Sequence, residues 1–163
     1  MISELVIGAT FFFTSLDQTN CPMHEQHMKA VDARHDTLGM AHDRSSHRFR
    51  LFRDGGAIEL RANDARDVAT VSAIRKHLRK VAAAFAKNDF STPAFVHGHA
   101  PDGVDTMKRR RDRIRYRYES VDAGGRIRVT TTDPDALAAV HDFMKFQVGE
   151  HGTNDSGEVE EEK

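Results

Sequence analysis

The stretch CPMHEQHM, residues 21–28, gathers the chain's only cysteine, two of its six methionines and two of its ten histidines. Thiolate and thioether select Cu(I), and imidazole adds Cu(II) and Zn. Cys21, Met23, His24 and His27 are therefore a candidate metal set. On a helix His24, His27 and Met28 share one face, because positions three and four apart are neighbours. The density continues: residues 21–47 also hold His35, Met40, His42 and His47. The spacing is not that of a zinc finger, which closes tight ligand pairs, so a polar segment rich in His and Met by chance is the competing reading. A lesser ligand set joins His47 to His97 and His99, the latter two in the loop sequence VHGHAPDGV. His47 and His97 could also serve an enzyme as acid and base, but no P-loop, Rossmann glycine pattern or nucleophile elbow accompanies them. The expected cofactor is a transition-metal ion, Cu or Zn, in a non-catalytic protein.

The elements that must position these residues follow from periodicity. HRFRLF (47–52) alternates polar and apolar, which predicts a half-buried strand. Asp54-Gly55-Gly56 reads as a hairpin turn and AIELRA (57–62) as the returning strand. Asn63 or Asp64 can cap a helix reaching about Lys87, with Val68, Val71, Ile74, Leu78, Val81 and Phe85 on one stripe and His77 off it. Residues 88–103 contain Pro93 and Pro101 and read as a loop, with a short helix from Asp102 to about Arg110. RIRYRY (113–118) and RIRVTT (126–131) repeat the strand signal around Gly124-Gly125. Asp133-Pro134 then opens a last helix with Leu137, Val140, Met144 and Val148 aligned. Before all this, 17–22 reads as a linker and Met23 to about Met40 as a polar helix with few core positions (Met28, Val31, Leu38). DSGEVEEEK reads as an acidic, disordered tail.

The two halves match at an offset of 69 residues: Ile58 with Ile127, Leu60 with Val129, Asp64 with Asp133, Val71 with Val140. This predicts an α+β fold of two pseudo-repeated ββα units, about 47–87 and 113–149. They would form a four-stranded antiparallel sheet with helices on one face, plus the N-terminal helix. One domain would span 23–152, between a signal-like or mobile segment, 1–22, and the tail, 153–163.

At the strand period of two, Phe49, Leu51, Ile58, Leu60, Ile114, Tyr116, Tyr118, Ile127 and Val129 face the helices. The opposite face then carries Arg48, Arg50, Glu59, Arg61, Arg113, Arg115, Arg117, Arg126 and Arg128. In a chain of formal net charge −1 this concentrates positive charge on one surface. Arginine's planar fork suits phosphate and carboxylate, so the second functional reading is an interaction module. It would hold an acidic protein, a phosphorylated small anion or nucleic acid on the Arg48, Arg50, Arg113, Arg115, Arg117, Arg126 and Arg128 face. No aromatic is predicted to stand there for base stacking, which disfavours nucleic acid. The competing reading is a face paired internally, or covered by the 24–38 segment, by the acidic tail or by a second subunit in a homodimer.

With 163 residues, 39% apolar and 30% charged, the chain fits one globular domain with a real core. One cysteine excludes an intrachain disulfide, and no apolar run is long enough to span a bilayer. LVIGATFFFTSL (5–16) has the character of a signal h-region, although no Lys or Arg precedes Lys29. Periplasm or cell envelope is the expected location, cytoplasm the alternative.

CPMH resembles the opening of small bacterial heavy-metal-binding modules whose core runs CPMHP. Here Glu25 takes the place of the second proline, and Asn20 that of the aromatic that commonly precedes the motif. A longer resemblance runs from about Asp32 to Asp155, carried by GMAHDRSSHRFRL (39–51), DGGAIELRAND (54–64), FAKNDFSTPAFVHGHAPDGV (85–104), IRYRYE (114–119) and ALAAVHDFMKFQVGEHGTND (136–155). These pieces are similar to a family of small bacterial proteins, frequently with export signals, which implies export here. Many relatives bear the label aspartate carbamoyltransferase. That enzyme has two α/β domains and recognises carbamoyl phosphate through a Ser-Thr-Arg-Thr motif, which does not occur in this sequence. The family commonly has a second histidine after the equivalent of His47, where this chain has Arg48.

Overall fold

The structure is a computed structural model and describes residues 22–38 and 43–162. The chain runs through α1 (Pro22–Thr37), β1 (Ser45–Phe52), β2 (Gly55–Ala62), α2 (Val68–Ala86), α3 (Ser91–His97) and α4 (Val104–Arg109). After a 3₁₀ turn, Arg111–Arg113, come β3 (Ile114–Val121), β4 (Gly124–Thr131), α5 (Pro134–Glu150) and β5 (Val159–Glu160). The fold is α+β, as expected, but among the described residues the sheet has five strands in the order β3-β4-β2-β1-β5. It is mixed: β1–β2, β2–β4 and β3–β4 are antiparallel, and β5 lies parallel to β1.

Two expectations are therefore corrected. The sheet is not a closed set of four antiparallel strands, because the edge of β1 takes up Val159 and Glu160 from the tail that reads as disordered. The carboxylates around that strand lie against the arginines, which is why so polar a segment orders. Nor do two equivalent ββα units describe the architecture. The helix-rich segment α3–α4 lies between the two halves, and among the described residues α1 and β5 have no counterparts.

Local chemistry explains the helix boundaries. Asp133 accepts a hydrogen bond from the Ala136 N–H at 2.9 Å, with Pro134 in the first turn, so α5 starts where predicted. The α2 cap is Asp67, which accepts from the Thr70 N–H at 3.0 Å and its hydroxyl at 2.6 Å, rather than Asn63 or Asp64. The expected loop at 88–103 contains α3. Pro93 sits in its first turn, where a missing N–H costs nothing, and Gly98 ends it in the left-handed region at φ 78°.

The helices α2 and α5 bury Val71, Ile74, Leu78, Phe85, Val140 and Phe143 against the strand positions predicted to face inward. Phe85 stacks on Phe90 at 4.6 Å and meets Phe143 edge-on at 6.0 Å. His141 anchors α5 to the first hairpin through the Phe52 and Gly55 carbonyls, at 2.9 and 3.1 Å. Among the described residues no helix is long and apolar enough to cross a membrane.

The double glycines do not make the turns. Arg53-Asp54 and Asp122-Ala123 do, and the glycines open β2 and β4. There the two hairpins are joined, and a Cβ on Gly55 or Gly124 would overlap the carbonyl oxygen of Val129 or Leu60 on the neighbouring strand. The residue held at positive φ in the second turn is Ala123, at 57°. Gly124→Ala should then destabilise the protein by about 3 kcal/mol or more through backbone clash. Ala123→Gly should be neutral or gain up to about 1 kcal/mol by removing left-handed strain. Urea melts of both variants check this; equal effects would return the glycines to a turn role.

Candidate metal centre

Three elements end at one corner of the core. His35 lies in the last turn of α1, His47 near the start of β1, and His151 caps the C-terminus of α5. Each offers one ring nitrogen, and those nitrogens all lie within 4.8 Å of one another. Ring centroids are 5.0 Å apart for His35–His47, 4.8 Å for His35–His151 and 4.6 Å for His47–His151. A tetrahedral ion with bonds of about 2.1 Å needs nitrogens about 3.4 Å apart. Closing on an ion would require about 1.4 Å of approach at most.

The surroundings fit ligation. His35 is buried and the other two are half-buried. The Gln147 amide oxygen lies 3.2 Å from His151 Nε2 and 3.0 Å from His97 Nε2. With the oxygen placed there, both rings present Nε2–H, which leaves His151 Nδ1 as the lone-pair nitrogen. Glu150 Oε2 is 2.6 Å from His27 Nε2 and 3.3 Å from His97 Nδ1. Burial pushes the His97 imidazolium below the ordinary histidine range, against the opposing pull of Gln147 and Glu150, so this ring favours its neutral form. The C-terminal ends of α1, α3 and α5 also converge here, and their partial negative charge favours a cation. Behind the histidines a cavity of about 60 Å³ runs into the core between Phe49, Leu78, Val96 and Phe143. That is room for a few waters, the requirement being about 10–15 Å³ for one.

The predicted ligands separate. Of the N-terminal set, Cys21 and the side chain of His24 lie outside the described residues, as does the signal-like stretch 5–16. Met23 is exposed, and His27 is engaged with Glu150. Of the second set, His47 joins the cluster. His97 stands beside it, its ring 5.1 Å from His151, with Nε2 bound to Gln147. His99 is exposed and rests edge-on against Phe146, 6.5 Å from His27. His77, off the helix stripe, is half-buried at the cavity wall. The predicted set omits His35 and His151. A signal for both was present: His35 continues the Met28–Val31 spacing, His151 follows Met144 and Gln147, and His47 shares the phase of Phe49 and Leu51. Histidines on core-facing positions are the pattern to look for.

The arginine face is real but largely engaged. Across the strands Arg48, Glu59, Arg126 and Glu119 stand in register, alternating in charge. Arg61 Nε donates to the buried Glu59 at 2.6 Å, and Arg126 Nε donates to Glu119 at 2.8 Å. Arg50, Arg128 and Arg117 form the next row. Arg128 is buried, while Arg115 and Arg117 are exposed. Arg113 is in the 3₁₀ turn rather than on a strand. An aromatic does sit on this face: Phe52, covered by the Arg50 and Arg128 guanidinium groups at 5.0 and 4.6 Å.

Comparison of the chain with protein-family models, with curated proteins and with solved structures gave no match.

Proposed function

We propose that this is a transition-metal-binding protein whose ion is held by His35, His47 and His151. The observation that carries the reading is the convergence of three ring nitrogens from three separate elements within 4.8 Å. The donor set is all imidazole, which suits Zn(II) and Cu(II) and departs from the thiolate–thioether chemistry of Cu(I) suggested by Cys21 and Met23. Three protein ligands leave a further coordination position for water or an incoming ligand. Gln147, itself held by His97, would orient the His151 ligand from behind, as outer partners do in metal sites. The N-terminal apolar stretch and the family resemblance support a place in the cell envelope, where such a protein would hold or sense metal.

Titration of the purified protein with Zn(II) and Cu(II) should give one tight site. His35→Ala, His47→Ala and His151→Ala should each weaken it by about 100-fold or more, whereas His99→Ala should change it less than about 3-fold. Gln147→Leu, which removes a partner of a ligand but no ligand, should cost about 10-fold. Equal affinity in all five variants would sink the proposal.

Metal should also stabilise the fold, since the site joins α1, β1 and α5. At a hundredfold excess over Kd the gain is about 2.7 kcal/mol, or roughly 5–10 °C in Tm for a domain of this size. Differential scanning calorimetry with and without Zn(II) checks this, and the shift should vanish in His47→Ala.

A further inference from the structure

We propose that the C-terminal acidic segment is an internal pseudo-ligand on an arginine clamp that binds extended acidic peptides of another protein. This inference is independent of the metal reading. Val159 and Glu160 pair in parallel with Leu51 and Phe52 along the free edge of β1. The segment is tied down by charge. Asp155 accepts the Phe49 N–H at 2.8 Å and faces Arg48 at 3.4 Å. Glu160 accepts both Nε and a terminal nitrogen of Arg50, at 2.7 and 3.0 Å, and Glu161 meets Arg53 at 2.8 Å. Glu162 accepts from Arg128 at 3.0–3.1 Å and lies 3.8 Å from Arg126.

The two sides of this contact are unequal. With the segment in place the Arg128 side chain is 4% exposed and that of Arg50 16%. Both guanidinium groups stack on Phe52, and Arg128 also donates to the Gly56 and Val129 carbonyls, so they are positioned without help from the segment. The carboxylates laid on them, Glu160 and Glu162, are 41% and 39% exposed. Val159, the one apolar residue between 155 and 162, is 48% exposed, so the segment has no hydrophobic anchor. A ladder of two residues plus ion pairs open to water is a weak hold. Lifting the segment would uncover both guanidinium groups, Arg128 keeping Asp54. The face therefore offers an anion prepositioned guanidinium groups while holding this one lightly.

The geometry also specifies the ligand. In an extended chain alternate residues share a side, and here Glu160 and Glu162 turn to Arg50 and Arg128 while Glu161 turns away to the exposed Arg53. The recognised pattern is acidic-x-acidic on a strand added to β1, with main-chain bonds supplying affinity and the clamp supplying specificity. Being tethered, the chain's own segment competes at millimolar effective concentration and so sets the threshold for an outside peptide.

The test uses the full chain carrying Glu160→Gln and Glu162→Gln, with Glu162→Gln alone as the milder variant, and a fluorescein-labelled peptide of residues 155–163. The peptide should bind the double variant about 10-fold or more tighter than the wild type, with the single variant between them. Glutamine at both 160 and 162 of the peptide should abolish binding, while glutamine at 161 should change it less than about 2-fold. Adding Arg50→Gln to the single variant should remove binding. The proposal is overturned by equal peptide affinity in wild type and both variants, or by insensitivity to which peptide glutamates are neutralised. It is likewise overturned if a single-stranded oligonucleotide of equal charge outcompetes the peptide, or if the variants form dimers through exchanged tails.

Discussion

The seam between β2 and β4 is the constraint on which the rest of the molecule depends. It joins two hairpins that are each too small to be stable alone, and it does so at close range. Gly55 and Gly124 stand at opposite ends of the seam, where a side chain would strike the neighbouring backbone. Ile58 faces Ile127 at its centre. Only with the two hairpins fused is the inner face wide enough to accept both α2 and α5, and only then do the helix stripes have somewhere to go.

The histidine cluster is a consequence of that packing. α5 crosses β4, β2 and β1, so its C-terminus arrives beside β1. α1 rests on α3 and is tied to it by Arg34 donating to the Val96 carbonyl at 3.0 Å. The corner where these elements meet is the polar end of an otherwise apolar core. Its side chains carry hydrogen-bonding groups because three helix C-termini end there. Imidazoles answer that need, being flat enough to pack and polar enough to bond.

The opposite face solves a different problem. Seven arginines on one sheet surface would repel one another, and carboxylates interrupt them: Glu59 and Glu119 from within the sheet, Asp54 from the hairpin turn, Glu160 and Glu162 from the tail. The near-balance of charge in the chain, −1 overall, is thus achieved locally, by pairing, rather than by separate acidic and basic regions.

Much of this was legible in the sequence. The alternation in HRFRLF and RIRYRY, the three-and-four stripe from Val71 to Phe85 and the Asp133-Pro134 start all reflect backbone geometry over a few residues. They identified four strands, both long helices, the inward-facing set and the arginine face. Glu119 shares the phase of Arg115 and Arg117, and Phe52 that of Arg48 and Arg50, so the mixed character of that face was also readable in principle. What only the tertiary structure decided were meetings between distant residues. His35, His47 and His151 converge because of where α1 and α5 stop relative to β1. The tail adds a strand because arginines brought together by the seam neutralise it. Gly124 is needed by a neighbouring strand and not by its own turn, whereas Gly55 is needed both by a neighbouring strand and by its own positive φ of 146°. Local periodicity is set within a turn or a pleat, but proximity across more than a hundred residues is set by packing and loop closure, which no short window of sequence contains.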